Sequence, residues 1–395
     1  MNAPTSVRER GSVATARPDV EPPTVARGDR LTELRSRIGL ATVTRAPGAD
    51  GVAHVARLLE RALGDLAGSA PWVADLDARK VGPVSLGRRA RFAARVAGGQ
   101  LLSRFDWLLY NHVGIAAAHA IVPRAMRTPY AVFVHGIEVW DDAPSAAQLA
   151  TLRGAALLLS NSEYTARRLT ARRPELAPIW PCALGLGPAG ERRESDVDTA
   201  LLNAVRPRSV LIAGRMSAAE RYKGHDELLE AWPSVRAAAP GAQLVVVGGG
   251  DDQSRLAERA RERGLGDDVL FCGRVSDATL DALFERVALF AMPSRGEGFG
   301  IVYLQAMRAG LACIGASDDA AGDVIADGRT GLLVAQRDVA GLARAIGTLL
   351  CDPARARTMG RAGRERYEKE FTYERFRDRL ASVLAANGVP LGGGR

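Results

Sequence analysis

Features that define several protein classes are scarce or missing in this sequence. Only 4 of its 395 residues are cysteines, and they are widely spaced, without a Cys-x-x-Cys pair. This spacing argues against a disulfide framework and against a zinc site, and it favours a reducing compartment. We therefore expect a cytoplasmic protein without a metal site.

The sequence also lacks a long uncharged apolar run. The best candidate, residues 107–122, is interrupted by Asn111 and two histidines, so we expect no membrane-spanning helix. The amino-terminal region has no apolar segment of the signal-peptide type and carries acidic residues such as Glu9. The expected location is the cytoplasm, either free or peripheral at the inner membrane face.

Positive charge is in excess. There are 53 Lys and Arg against 45 Asp and Glu, which gives a net charge of +8. Nucleic acid, an anionic membrane or a phosphorylated substrate would each fit the excess, as would an arginine-rich composition without a binding role. Four arginines between residues 88 and 95 share a predicted helix with Phe92 and Val96, which fits either an anionic membrane surface or a solvated helix face.

The apolar patterns predict an α/β fold with two doubly wound parallel sheets. Short apolar runs typical of buried strands alternate with helical patterns, such as the one over residues 52–66, in both halves of the chain. The predicted strands cover residues 37–44, 81–86, 107–110, 131–134, 155–160, 209–213, 243–247, 269–271, 289–292 and 312–315.

Composition divides the chain into five parts. Residues 1–30 are rich in Pro, Arg, Ser and Thr and are expected to be disordered. Domains are expected over 31–186 and 208–370, joined by a linker over 187–207. Residues 371–395 are expected to form a helix that packs back on the first domain, followed by a glycine-rich tail.

The stretch from Ser294 to Gly310 follows a buried strand and contains three closely spaced glycines before a predicted helix. The N–H groups of such a helix start favour a phosphate. Glu297 stands in the loop, and Gln305 lies eight residues further on, so both can face one cleft. Taken alone, the stretch fits a strand–turn–helix whose glycines serve packing.

Two cations follow the first strand of the second half. Arg215 comes directly after Gly214, and Lys223 opens the next helix. A guanidinium fork and an ammonium beside a glycine suit a diphosphate, although solvated surface cations are the commoner case. In the first half His135 follows a strand end, and alone it would be a structural histidine more often than a catalytic one.

Taken together, the motifs resemble the GT-B-fold retaining glycosyltransferases of family 4, the glycosyl transferases group 1. The resemblance covers about residues 37–386 and is more specific in the second half. It is carried by Val134-His-Gly, Asn161-Ser-Glu-Tyr-Thr, Gly214-Arg-Met, Lys223-Gly-His-Asp-Glu-Leu-Leu-Glu-Ala, Leu244-Val-Val-Val-Gly-Gly-Gly, Phe271-Cys-Gly-Arg-Val-Ser, Pro293-Ser-Arg-Gly-Glu-Gly-Phe-Gly, Gly328-Arg-Thr-Gly-Leu-Leu-Val and Phe371-Thr-Tyr.

The resemblance implies that the first domain holds the acceptor and the second binds the donor. It implies that Arg215 and Lys223 hold and stabilise the donor diphosphate, that Glu297 contacts the donor sugar, and that His135 lies near that sugar from the opposite domain. It further implies a set of donor-binding residues, namely Gly214, Arg274, Val275, Gly298, Phe299, Gly300, Ile301 and Gln305.

The sequence departs from the family pattern at two positions. Gln305 stands at the second glutamate of the Glu-x7-Glu pattern, the position expected to bind the ribose hydroxyls. Asp50-Gly51 replaces the Gly-Gly pair after the first strand.

The function implied is metal-independent, retaining transfer of a sugar from a nucleotide-sugar to a hydroxyl, in cell-surface polysaccharide or glycolipid synthesis. The nucleotide-sugar is a substrate, so no cofactor is expected, and no nucleic acid partner is expected. The acceptor is a saccharide, a lipid-linked saccharide or a soluble small molecule. A sugar-nucleotide epimerase or phosphorylase, and a non-catalytic sugar-nucleotide-binding protein, are the competing hypotheses.

Overall fold

The computed structural model contains two parallel β-sheets flanked by helices, which confirms the predicted α/β class with two doubly wound sheets. The predicted disordered tail, residues 1–30, lies outside the part of the chain that the structure describes. The described residues are 38–46, 51–78, 84–140, 144–176, 178–187 and 196–391.

The first sheet has six parallel strands in the order β2-β1-β3-β4-β5-β6. Its inner strands are continuous apolar runs because helices cover both faces of the sheet. The strands are β1 (Ile38–Thr42), β2 (Val73–Asp75), β3 (Trp107–Tyr110), β4 (Tyr130–Val134), β5 (Leu157–Ser160) and β6 (Ile179–Pro181).

One strand prediction in this half is corrected. The edge strand lies at β2, whereas the prediction placed a strand over residues 81–86. Residues 79–83 fall outside the described part, and Leu86 is the first residue of a helix, which is capped by the Ser85 side chain. The capping serine, and not the apolar content, decides the local structure there.

Five helices accompany the first sheet. The longest buries an apolar face at helical spacing, with Val55, Leu59 and Leu63 all inside the core, as predicted. The helices are α1 (Gly51–Ala67), α2 (Leu86–Leu101), α3 (Val113–Ala116), α4 (Ala146–Gly154) and α5 (Glu163–Arg172).

The second sheet also has six parallel strands, in the order β12-β11-β10-β7-β8-β9. The strand predictions over 209–213, 243–247 and 289–292 match the observed bounds. The strands are β7 (Ser209–Ala213), β8 (Gln243–Val247), β9 (Val269–Gly273), β10 (Leu289–Met292), β11 (Ala312–Ala316) and β12 (Gly331–Val334).

The helices of the second half alternate with its strands, and three more close the described chain. The predicted linker contains one short helix, and its residues 188–195 are outside the described part. The helices are α6 (Thr199–Asn203), α7 (His225–Ala238), α8 (Gln253–Glu262), α9 (Asp277–Arg286), α10 (Ile301–Arg308), α11 (Ala321–Val324), α12 (Val339–Cys351), α13 (Pro353–Glu370) and α14 (Tyr373–Ala386).

Helix α14 returns to the first half of the chain. The Tyr373 hydroxyl donates a hydrogen bond of 2.5 Å to the Asp65 carboxylate on α1, and the Arg61 guanidinium lies 4.0 Å from the Tyr373 ring centroid. Next to this contact the N–H of Leu186 donates to the carbonyl of Phe371 at 3.0 Å. The two halves are therefore joined by two neighbouring crossings of the backbone.

The basic helix α2 differs from its prediction. Phe92 and Val96 are buried in the core of the first half, so they are not part of an exposed amphipathic face. The apolar side chains that α2 and the residue after it expose are Leu86, Leu101 and Leu102. Among the described helices, none is both long enough and apolar enough to cross a bilayer.

Candidate functional site

The carboxyl ends of both sheets face a cleft of about 350 Å³. In doubly wound sheets ligands bind at this end of the strands. From the first half the cleft is lined by Gly51, Val52, Val55, His135, Ile137, Glu138, Asn161 and Leu184. From the second half it is lined by Ala213, Arg215, Glu220, Tyr222, Lys223, Met292 and residues 296–302.

The two halves meet at glycines in this cleft. A Cβ atom on Gly298 would lie 1.8 Å from the carbonyl oxygen of His135, and one on Gly136 would lie 3.1 Å from Cα of Gly298. The Asn161 side-chain amide fixes the same carbonyl by donating to it at 2.9 Å. Any side chain at position 298 would push the loops apart, so glycine is required there.

Four charged side chains form a cluster at the ends of β7 and β10. Nη2 of Arg215 lies 2.8 Å from Oε1 of Glu220. Nζ of Lys223 lies 3.7 Å from Oε2 of Glu297 and 3.9 Å from Oε2 of Glu220. The predicted pair Arg215 and Lys223 thus stands in one cleft with Glu297, and both cations are already paired with carboxylates.

Lys223 is largely enclosed in this cluster. Burial lowers its pKa, but the neighbouring oxygens, above all those of Glu297, raise it more, so the net shift of the pKa is upward. The ammonium group therefore stays charged at neutral pH. Its aliphatic stem covers Gly214, where a Cβ atom would lie 3.3 Å from Cδ of Lys223.

Helix α10 starts at the floor of the cleft. Gly300 precedes it with a φ of 84°, and within the described part of the chain no side chain caps the first turn. Its first residues, Ile301 and Val302, line the cleft, so their N–H groups and the positive end of the helix dipole face it. An anionic group of a ligand would be stabilised at this point.

The Asp319 carboxylate forms a hydrogen bond with the loop that carries Glu297. This carboxylate is only 3% exposed and accepts hydrogen bonds from the N–H of Glu297 at 3.2 Å and of Ala321 at 2.8 Å. Burial raises the pKa of Asp319 to about 7, with a further upward contribution from Glu297. Asp319 thus connects the loop of Glu297 to the start of α11.

His135 reaches the cleft from the end of β4. Its Nε2 lies 2.6 Å from the carbonyl oxygen of Asn111, and its backbone N–H donates to Glu138 at 2.5 Å. Because a carbonyl oxygen only accepts, Nε2 carries the proton and Nδ1 of the neutral ring is an acceptor. The hydrogen bond therefore fixes both the ring orientation and the tautomer.

The cleft contains most of the predicted site residues. His135, Arg215, Lys223 and Glu297 line it, as do residues 298–301. Four other predicted donor-binding residues, Gly214, Arg274, Val275 and Gln305, are not among its lining residues.

These four residues differ in their contacts and exposure. The Gly214 N–H donates to the carbonyl of Val247, which ties the loop after β7 to β8. Arg274 is exposed and its side chain passes over Gly249, where a Cβ atom would lie 3.0 Å from Cγ of Arg274. Val275 packs against the core, and Gln305 is half-buried on α10, one turn beyond Ile301.

Four polar lining residues were not assigned a role from the sequence: Glu138, Asn161, Glu220 and Tyr222. They lie outside the α-helices and β-strands, where neither helical nor strand periodicity applies. Glu138 and Asn161 follow strand ends, which is the one sequence signal that could have identified them. Among the described residues, no group of three His, Cys, Asp or Glu side chains is arranged to hold a metal ion.

Comparison with known proteins finds similarity to one family within the second half. Residues 203–366 match the glycosyl transferases group 1. Over 169 residues the chain is 38% identical to the GDP-mannose-dependent alpha-(1-6)-phosphatidylinositol monomannoside mannosyltransferase of Mycobacterium tuberculosis, covering 41% of this chain and 44% of that protein. Over 180 residues it is 34% identical to the glycogen synthase of the same organism, covering 46% and 43%. The matches thus span less than half the length of either relative.

Solved structures resemble the chain over both sheets. HepE of Anabaena, solved with UDP and glucose, has a TM-score of 0.69 at 20% identity and covers 89% of this chain and 100% of that one. Sucrose-phosphate synthase of Thermosynechococcus elongatus has a TM-score of 0.74 at 24% identity, with 89% and 99% covered. At these identities the likeness shows a common fold, and the predicted GT-B fold is confirmed.

Proposed function

We propose that this GT-B chain, with its glycosyl transferases group 1 region at residues 203–366, is a glycosyltransferase that moves a sugar from a nucleotide-sugar donor to an acceptor hydroxyl. One observation carries the proposal. Arg215, Lys223, Glu297 and the start of α10 surround one cleft, and His135 faces them from the other half. Two cations and a helix start suit a diphosphate, and a carboxylate beside them suits sugar hydroxyls.

In this proposal the donor diphosphate lies between Arg215, Lys223 and the N–H groups at the start of α10. Negative charge grows on the diphosphate as the sugar leaves, so fixed positive groups stabilise the transition state more than the ground state. These groups take the role that a divalent cation has in other transferases. Activity in the presence of EDTA tests that assignment.

Glu297 is placed to accept hydrogen bonds from the donor sugar, and Asp319 holds its backbone from below. Nδ1 of His135 is an acceptor for a sugar hydroxyl on the opposite side. A sugar held from both halves of the chain is oriented relative to the acceptor, and such orientation contributes directly to rate.

We propose that the configuration at the anomeric carbon is retained through a front-face displacement. The bond between the sugar and the phosphate oxygen breaks, the acceptor oxygen bonds the same face, and its proton passes to the leaving phosphate. In the ligand-free chain Glu220 and Glu297 contact cations and Glu138 accepts the N–H of His135. The proposed route assigns none of these carboxylates the role of a nucleophile.

The relatives suggest which substrates to test first. A named relative uses GDP-mannose and a phosphatidylinositol mannoside, and another is a glycogen synthase. We propose GDP-mannose as the first donor and a lipid-linked saccharide as the first acceptor, at the inner membrane face. A soluble saccharide or small molecule is the second acceptor class, and no nucleic acid is involved.

A thermal-shift panel of nucleoside diphosphates, followed by turnover of the labelled donor, tests the proposal. The true donor base raises the melting temperature by mass action, and turnover with analysis of the product linkage establishes transfer and retention. Binding without turnover against any acceptor class would support a non-catalytic nucleotide-sugar-binding protein. Inversion at the anomeric carbon, or a free epimerised sugar nucleotide, would refute retaining transfer.

A further inference from the structure

The Glu220 carboxylate occupies the place between the two cations that the diphosphate needs. Its Oε1 lies 2.8 Å from Nη2 of Arg215, and its Oε2 lies 3.9 Å from Nζ of Lys223. The side chain is 16% exposed and lines the cleft. A protein carboxylate therefore pairs with both cations in the ligand-free chain.

The charges of the cluster cancel in this arrangement. Arg215 and Lys223 are positive, and Glu220 and Glu297 are negative. A diphosphate entering the cluster meets a fixed carboxylate of its own sign at contact distance, and like charges in a partly buried site repel strongly. Binding therefore requires Glu220 to leave its partners.

Glu220 is less firmly held than a comparable carboxylate nearby. Oε2 of Glu220 is buried and has no hydrogen-bond partner among the residues that the structure describes. By contrast, Asp252 accepts four hydrogen bonds of 2.6–3.0 Å from Arg221 and Arg255. Asp252 is a structural anion, whereas Glu220 makes one short contact and one long one.

The backbone at Glu220 also departs from the geometry of the segment that contains it. It lies in the 3-10 segment Ala218–Lys223, but its own φ of −122° and ψ of 28° are not helical. The helical pattern of the segment is therefore interrupted at Glu220, before α7 begins at His225.

We infer that Glu220 is a displaceable counter-ion of the diphosphate subsite. It neutralises Arg215 and Lys223 when the site is empty, swings out as the donor binds, and returns to compete with the nucleoside diphosphate product. This inference rests on the proposed function, because it requires a diphosphate in the cleft. Its consequence is weak product binding, and hence faster product release, at the cost of some donor affinity.

Titration calorimetry with GDP, UDP and inorganic pyrophosphate tests the inference on the full chain. In Glu220→Gln the repulsion is gone and the shape is kept, so the nucleoside diphosphate that binds the wild type should bind about tenfold tighter. Pyrophosphate should gain similarly, whereas the matching nucleoside without phosphates should not. Glu220→Ala, which also frees the space, should show the same pattern.

Glu258→Gln is the matched control, because it removes the same charge from an exposed surface pair with Arg261. It should leave all affinities unchanged. Stopped-flow release of the diphosphate from Glu220→Gln should be slower than from the wild type. If Glu220 instead holds the cations in position, both Glu220 variants bind diphosphates equally or more weakly, which overturns the inference alone. A wild type that binds no nucleoside diphosphate would overturn the proposed function as well.

Discussion

The Asp323 carboxylate accepts a hydrogen bond of 2.7 Å from the backbone N–H of Tyr164, so a residue of the second half caps the first turn of α5 in the first half. The Tyr164 hydroxyl in turn donates to the carbonyl of Asp318 at 2.9 Å, and Arg167 lies 3.7 Å from Asp323. A helix N-terminus favours a carboxylate, and this one belongs to the facing domain. The contact connects the two halves of the chain.

Replacing Asp323 by alanine should free the start of α5. A hydrogen bond to a charged group contributes about 1.5–3 kcal/mol, so amide exchange at Tyr164 should accelerate about tenfold or more. Hydrogen-exchange mass spectrometry on the peptide that contains Tyr164 measures this. Asp338→Ala, which removes the cap of α12 within the second half, should leave that peptide unchanged. If the Tyr164 peptide exchanged its amide hydrogens as slowly in Asp323→Ala as in the wild type, the Asp323 carboxylate would not stabilise the start of α5.

Arg215 and Lys223, which form the proposed diphosphate clamp, should affect turnover more than donor affinity. Arg215→Ala and Lys223→Ala each remove a contact that strengthens as charge develops, and turnover should fall by roughly two to three powers of ten. Steady-state kinetics with the identified donor measures it. Arg261→Ala, which removes an exposed cation on α8, is the control with expected wild-type rates. Near-normal turnover of either clamp variant would remove that residue from the clamp.

The Gln305 position should tolerate a carboxylate. A charged acceptor binds hydroxyl groups about 1 kcal/mol better than a neutral amide, so Gln305→Glu should be active, with a donor KM that is unchanged or up to about fivefold lower. Glu297→Gln should be nearly inactive, because the proposed function places its carboxylate against the donor sugar, beside Lys223 at 3.7 Å. A dead Gln305→Glu enzyme would contradict a ribose-binding role for Gln305.

Asp319 should make stability depend on pH. Its folded-state pKa of about 7 lies above the unfolded value, so the folded protein binds this proton more tightly. The resulting stability is complete below about pH 4 and is lost as the pH rises through about 7.

Urea unfolding at about pH 5 and about pH 8 measures the effect of Asp319. The free energy of unfolding of the wild type should fall by about 2–3 kcal/mol more over this interval than that of Asp319→Asn. The exposed neighbour variant Asp318→Asn should keep most of the wild-type slope. If the free energy of unfolding changed equally with pH in the wild type and in Asp319→Asn, Asp319 would be ruled out as the titrating group.

The surface around α2 should bind anionic vesicles at low salt. The exposed Leu86, Leu101 and Leu102 flank a helix with several arginines, and the charge attraction is screened at high salt. Sedimentation with anionic vesicles at low and high salt measures binding, and neutral vesicles are the control. The double variant Leu101→Ser and Leu102→Ser should pellet less. Failure of the wild type to pellet at low salt would exclude this membrane surface.

The sequence allowed the second sheet to be predicted more accurately than the first. Strands such as Gln243–Val247 are buried on both faces, so they appear as unbroken apolar runs. The edge strand Val73–Asp75 has three residues, of which only Ala74 is fully buried, and no run marks it. Capping by Ser85 likewise outweighed the apolar character of the residues that follow it.

The site was predictable where it follows strand ends. His135 comes directly after β4, Arg215 follows β7 by two residues, and Glu297 lies in the loop that follows β10; parallel strands bring such positions together. Glu220 could not be predicted, because its role depends on a distance to Arg215 that an irregular segment creates. The glycine run at 248–250 has a packing role, since a Cβ on Gly248 would meet the carbonyl of Gly214 at 1.9 Å.

The return of α14 to α1 also determines when the first lobe can be completed during synthesis. Both sheets leave the ribosome before Tyr373. The surface around Arg61 and Asp65 therefore stays uncovered until Tyr373, about 300 residues downstream, has been synthesised. In a nascent chain stalled in the second sheet, the first half therefore lacks helix α14, which packs against α1 in the complete fold. Because translation runs from the amino terminus, the first half is synthesised first but is completed only when α14 docks on it.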